Sequence, residues 1–128
     1  MRSFLLLFVS ILFLTSCQNN KNLTGTWDMF KVYRDGQDVT ERHNPDGERF
    51  IQFKENQFET GGKPYGTNTG SYTFDSAIDT LYLDSDTGPE DDSRWKVEIS
   101  GDTMHWKGFG TEWAESFELI HIKRHPKD

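Results

Sequence analysis

The chain has a single cysteine in 128 residues. That excludes an intrachain disulfide and leaves no second thiol to resolve a redox intermediate. Its longest apolar stretch, the eleven mostly apolar residues from Phe4 to Leu14, falls short of the about 20 needed for a spanning helix. Beyond Leu23 no segment of ten or more residues keeps helical apolar spacing, so a helical bundle is excluded. Basic charge is also scarce, with 14 Lys and Arg against 21 Asp and Glu and a net charge of -7. Such a balance repels nucleic acid phosphates, and no nucleic acid partner is expected. Catalytic signatures are missing as well. There is no G-x-S-x-G elbow and no H-E-x-x-H or paired-Cys metal spacing among His43, His105, His121 and His125. The "GGKPYG" stretch at 61–66 resembles a phosphate loop only superficially, because no helix follows it. The acidic run "DSDTGPEDD" at 84–92 lacks the spacing of a calcium loop. Neither a metal, a cofactor nor an enzymatic activity is expected.

What the chain does carry is aromatic bulk. Aromatics make up 14% of residues, ten of them Phe, while overall hydrophobic content is 34%. Burial must then come from a few large side chains in one small domain, since this length supports a single core. The N-terminus, "MRSFLLLFVSILFLTSCQNN", has one basic residue, a short apolar segment and small residues ahead of Cys17. That order predicts a targeting leader over residues 1–16. Leu14-Thr15-Ser16-Cys17 resembles the lipobox of bacterial lipoproteins, which implies cleavage before Cys17 and its acylation. Several acyl chains, at about 0.8 kcal/mol per buried methylene, make such an anchor effectively permanent. By the same resemblance Gln18, standing where an aspartate would retain the protein at the inner membrane, implies the outer membrane of a Gram-negative cell. Residues 17–22 then read as lipid anchor and polar tether, and 23–124 as the folded domain.

From Leu23 onward, period-two alternation between turn signals predicts eight strands, at about 25–34, 48–54, 57–61, 70–75, 80–84, 95–100, 103–109 and 115–123. "RWKVEIS" and "TMHWKGF" alternate cleanly on either side of Gly101-Asp102, a tight hairpin. The connections alternate long and short, and in an antiparallel meander that gathers the long loops at one end and the tight turns at the other. The expected fold is all-β, an eight-stranded antiparallel up-and-down barrel closed on itself. Asp35-Gly36 could add a short hairpin returning through "QDVT".

Gly25-Thr26-Trp27 opens the first strand at the pinched end, and "HIKRHP" ends the last strand beside it. This arrangement resembles the lipocalin superfamily, specifically the small lipocalin-like lipoproteins of bacteria, over about residues 23–124. The resemblance implies a barrel floor formed by Gly25, Trp27 and a basic residue at Arg124, with Lys123 the alternative. The family's threonine-aspartate-tyrosine motif is replaced here by "ISGDTMHW", and the shorter strands imply a shallower cup. Period-two parity predicts a lumen near the open end lined by Tyr33, Ile51, Tyr72, Trp95, Trp106 and Phe117, with Leu83 and Leu119 deeper. In strand one, inward Trp27 and Met29 would also turn Lys31 inward unless a bulge intervenes. These rings either fill the barrel or line a site for one small hydrophobic ligand.

Two functions follow. The first is a lipid-anchored envelope protein that binds a small hydrophobic molecule. The second is a filled barrel that meets an envelope protein or glycan through its long loops, with Tyr65 and Trp113 as anchors.

Overall fold

The computed structural model describes residues 22–126. Cys17 and the leader lie outside the described residues. Nine strands form one antiparallel sheet in the order β2-β1-β3-β4-β5-β6-β7-β8-β9, and β1 also pairs with β9, so the sheet closes. The eight barrel strands are β1 (Gly25–Arg34), β3 (Phe50–Lys54), β4 (Gln57–Gly61), β5 (Asn68–Asp75), β6 (Thr80–Ser85), β7 (Ser93–Ser100), β8 (Thr103–Phe109) and β9 (Phe117–Lys123). The remaining strand, β2 (Gln37–Asp38), is the short return from the Asp35-Gly36 turn, pairing with Tyr33 and Arg34. Both turn residues have positive φ, at 50° and 80°, as a tight hairpin of this hand requires.

Tight connections 55–56, 76–79 and 101–102 sit at one end of the barrel, and the longer connections 35–49, 62–67, 86–92 and 110–116 sit at the other. Two of the longer ones carry a single α-helical turn, α1 (Thr40–His43) and α2 (Glu112–Glu115), and 86–92 carries a 3-10 turn at Pro89–Asp91. Of these, α2 was expected as loop and the start of a strand. Thr111 instead caps it, its Oγ1 accepting from the Ala114 N–H at 3.3 Å.

The core is aromatic and sulfur-rich. Trp27, Phe53, Leu81, Val97, Met104 and His121 are almost wholly buried. Phe53, Trp106 and Trp95 form a chain of ring contacts up the barrel axis, with centroids 6.3 and 5.4 Å apart. Aromatic pairs at such separations each add about 0.5–1.5 kcal/mol beyond area burial.

In β1 the pairing with β9 shifts register between Met29 and Lys31. Phe30 is the extra residue, and it stands exposed. The bulge flips the parity of the upper strand. Trp27, Met29 and Val32 are buried, while Lys31 is turned outward to Asp38 at 3.4 Å. Without it, a lysine would face the core.

Candidate functional site

At the closed end, Trp27 is 1% exposed and its Nε1–H donates to the Leu23 carbonyl at 2.9 Å. The incoming chain is thereby folded under the barrel as a stopper. The cation over the Trp27 ring is Lys123, with Nζ 5.5 Å from the centroid. This corrects the expectation for Arg124. Trp27 and Lys123 are register partners and share a face, so Arg124, one residue further, turns away. Arg124 instead pairs with Asp28 on the outer wall and lies over Phe50 at 5.3 Å. Gly25 is part of the same arrangement. Its φ is +123°, and a Cβ there would meet Lys123 Cε at 3.5 Å.

At the open end a cup of about 420 Å³ is lined from all four long connections: His43 and Arg49, Tyr65, Glu90 and Asp91, and Trp113. The strands contribute Trp95 and Phe117, with Met29, Val32 and Leu119. Trp95 and Phe117 are the expected lumen residues that the fold brings to this site. Four others are corrected. Tyr33 shares a face with Glu118 outside the barrel, because the Phe30 bulge gives its inward place to Val32. Ile51, paired with Trp27, is buried and does not reach the cup. Trp106 is packed against Trp95, Phe53 and His121 within the filled interior. Tyr72 lies at the closed end, its ring 4.7 Å from Phe53 and beside Leu23 and Asn56. Rings thus fill the axis below Trp95, with the cup above them at the mouth and a shallower depression of about 360 Å³ beside Leu23 and Tyr72 at the closed end.

Sequence reasoning missed His43, Arg49 and the residue that positions them, Asn44. The Asn44 side chain is buried, donating Nδ2–H to the Met29 carbonyl at 2.9 Å and accepting from the Arg49 N–H at 3.0 Å. It ties the β1 bulge to the entry of β3, where the Met29 N–H also donates to the Arg49 carbonyl at 2.9 Å. The Arg49 guanidinium then donates to the His43 carbonyl at 3.0 Å and lies over the Tyr65 ring at 4.7 Å. Tyr65 Oη and His43 Nδ1 share a hydrogen bond of 2.7 Å, and the His43 ring meets Phe117 edge-on at 5.3 Å. Burial, then the charges of Arg49, Arg42 and Arg34, hold His43 below its ordinary pKa. Burial likewise pulls Arg49 down. On the opposite lip, α2 presents Trp113 edge-on to Trp95 at 6.2 Å. The seat for α2 is Gly108, where a Cβ would come within 1.9 Å of the Ala114 carbonyl oxygen.

Two further depressions lie on the outer wall. One, about 600 Å³, is lined by Gln52, Lys54, Glu59 and Asp86, and the other, about 620 Å³, by Phe30, Phe50, Ile122 and Arg124. Each is reached by one long connection, the first through Asp86 and the second through Gly47 and Glu48, whereas the cup is lined by all four. Among the described residues no group of three metal-ligating side chains is present.

A closed antiparallel barrel, stoppered at one end and cupped at the other, defines a binding fold of the lipocalin type. The chain belongs to the lipocalin-like domain family, whose model matches residues 23–106. Two solved structures share the fold. A DUF4847 family protein from Bacteroides vulgatus ATCC 8482 is 14% identical, with a TM-score of 0.55 over 82% of this chain and 96% of that one. An uncharacterized protein from Bacteroides eggerthii DSM 20697 is 15% identical, with a TM-score of 0.56 over 80% of this chain and 100% of that one. Among curated proteins none matches.

Proposed function

We propose that this protein is a lipid-anchored, non-enzymatic binding protein of the bacterial outer membrane that holds a small hydrophobic ligand in its open mouth. The observation that carries the reading is the cup of about 420 Å³ on which all four long connections converge. Its size lies within the usual range of small-molecule sites, about 300–1,000 Å³, and its walls are mostly aromatic and aliphatic. Attachment through Cys17 would tether the closed end, because Leu23 enters under the Trp27 stopper. The mouth would then face away from the bilayer.

Titration with a panel of apolar compounds, followed by tryptophan fluorescence, tests the ligand reading. Trp95 and Trp113 line the site and should respond, and Trp113→Ala should weaken binding. No response to any compound would overturn it. Labelling with a radioactive fatty acid tests the anchor, which Cys17→Ser should abolish.

The competing reading is docking of an envelope protein or glycan on the long loops. Its support is the exposure of Tyr65 and Trp113, at 60% and 43%. Cross-linking on intact membranes separates the two, since a stoichiometric protein partner lost in Trp113→Ala would favour docking.

A further inference from the structure

Within the mouth, and resting on the mouth-pocket reading above, we propose that the ligand is a compact planar aromatic carboxylate. Its ring would lie among Trp95, Trp113 and Phe117, and its carboxylate would sit on the Arg49 guanidinium.

Charge bookkeeping around Arg49 is the first reason. Among the described residues, Arg124 has Asp28, Lys31 has Asp38 and Lys107 has Glu118 within ion-pair distance, but no carboxylate reaches Arg49. Arg34, Arg42 and Arg94 also lack such a partner, but all three are exposed, whereas Arg49 is half-buried in the mouth. Its contacts are one hydrogen bond to the His43 carbonyl and the face of Tyr65. Most of its donors remain for a ligand. A guanidinium presents a rigid fork that matches the two oxygens of a carboxylate, and a desolvated cation gains most from such a pair.

Shape is the second reason. Below Met29 and Leu119 the axis is occupied by Trp106 in contact with Trp95 and Phe53, so no channel continues downward for a long acyl chain. The walls are flat rings set edge-to-face, Trp113 against Trp95 and His43 against Phe117. A rigid ring adds stacking without the ordering cost of a flexible tail. The mouth also contains Glu90 and Asp91, but the Asp91 carboxylate accepts from Thr87 and both residues are exposed on the lip. Neither carboxylate comes within ion-pair distance of Arg49, which 43–49 supplies to the cup.

Calorimetric titration of the full chain with 2-naphthoate, 2-naphthylmethanol, 2-naphthylmethylamine and decanoate tests this. Naphthoate should bind about tenfold or more tightly than the neutral alcohol, as a charge-assisted contact implies. Arg49→Gln should abolish that preference while leaving alcohol binding in place, and Arg49→Lys should retain part of it. The alcohol serves as the internal check that each variant is folded. Equal affinity for acid and alcohol would overturn the anion assignment while leaving the mouth pocket standing. Tighter binding of the amine, or of decanoate, would overturn it in favour of a cationic or chain-like ligand. Absence of binding by all four would overturn the mouth reading itself.

Discussion

His121 should make this barrel acid-labile in a way that one substitution removes. The imidazole is 1% exposed, packed on Trp106 with centroids 4.5 Å apart, and its Nδ1 has no hydrogen-bond partner. Burial, with the Arg49 charge adding and Asp28 opposing, lowers its pKa from 6.5 to about 3. The unfolded chain therefore takes up a proton at His121 below pH 6.5 that the native state refuses until about pH 3. Stability is fully present above pH 6.5 and falls by about 1.4 kcal/mol per pH unit between those limits. From pH 6.5 to 4 the loss from this one residue is about 3 kcal/mol, a large share of the about 5–15 kcal/mol typical of a domain. His43, also depressed, acts in the same direction. Urea unfolding at half-unit pH steps measures the slope, and His121→Leu should flatten it by that about 3 kcal/mol while leaving the cooperativity parameter unchanged. Near pH 7.5 the variant should be little destabilised, because the orphaned polar nitrogen leaves with the ring. Parallel loss of stability in the two proteins would refute the assignment of a buried, neutral imidazole.

Three other substitutions probe the closed end of the barrel. Trp27→Ala should cost about 3–5 kcal/mol by removing the stopper. Of the adjacent cations, Lys123→Ala should cost about 0.5–2 kcal/mol through the lost ring contact. Arg124→Ala should cost under about 1 kcal/mol, because its ion pair is exposed, and urea midpoints rank the three. At the mouth, Gly108→Ala should cost about 1–3 kcal/mol by pushing α2 off its seat, with a matching change in the near-UV dichroism of Trp113 and Trp95. Asn44→Ala should cost about 1–3 kcal/mol, since the Met29 carbonyl loses its donor, and hydrogen exchange at Met29 and Arg49 should quicken.

The barrel was legible in the sequence because its signals are local. Gly101-Asp102 and Asp35-Gly36 name their turns by residue type, and clean alternation in 95–100 and 103–109 names the hairpin between them. Trp27 was legible as a floor residue for the same reason, standing at a fixed place in the first strand. What escaped depends on pairing across the barrel. Phe30 carries no mark of a bulge, yet its insertion moves Tyr33 outside and Val32 inside. The heights of Tyr72, Ile51 and Trp106 along the axis follow from strand tilt and from the β1–β9 closure, which no single segment encodes. Lys123 and Arg124 differ by one residue, and only the register opposite Trp27 chooses between them.

The mouth illustrates why a site can hide while its scaffold does not. Large rings fill the axis up to Trp95, and opposite Trp95 in the ladder stands Gly108, so side-chain volume runs out at that level. Above it the walls are supplied by loop residues whose positions rest on contacts outside the strand ladder: Asn44 reaching Met29, Tyr65 reaching His43, and Ala114 resting on Gly108. None of these contacts has a periodicity to read. The division is physical: strands alternate because a two-faced sheet must, whereas a loop need only satisfy its own hydrogen bonds and is free to carry a guanidinium, an imidazole and two aromatic rings to one point. Ligand choice in this chain thus belongs to 43–49, 65 and 113, and exchanging those segments should change what is bound while leaving the barrel beneath intact.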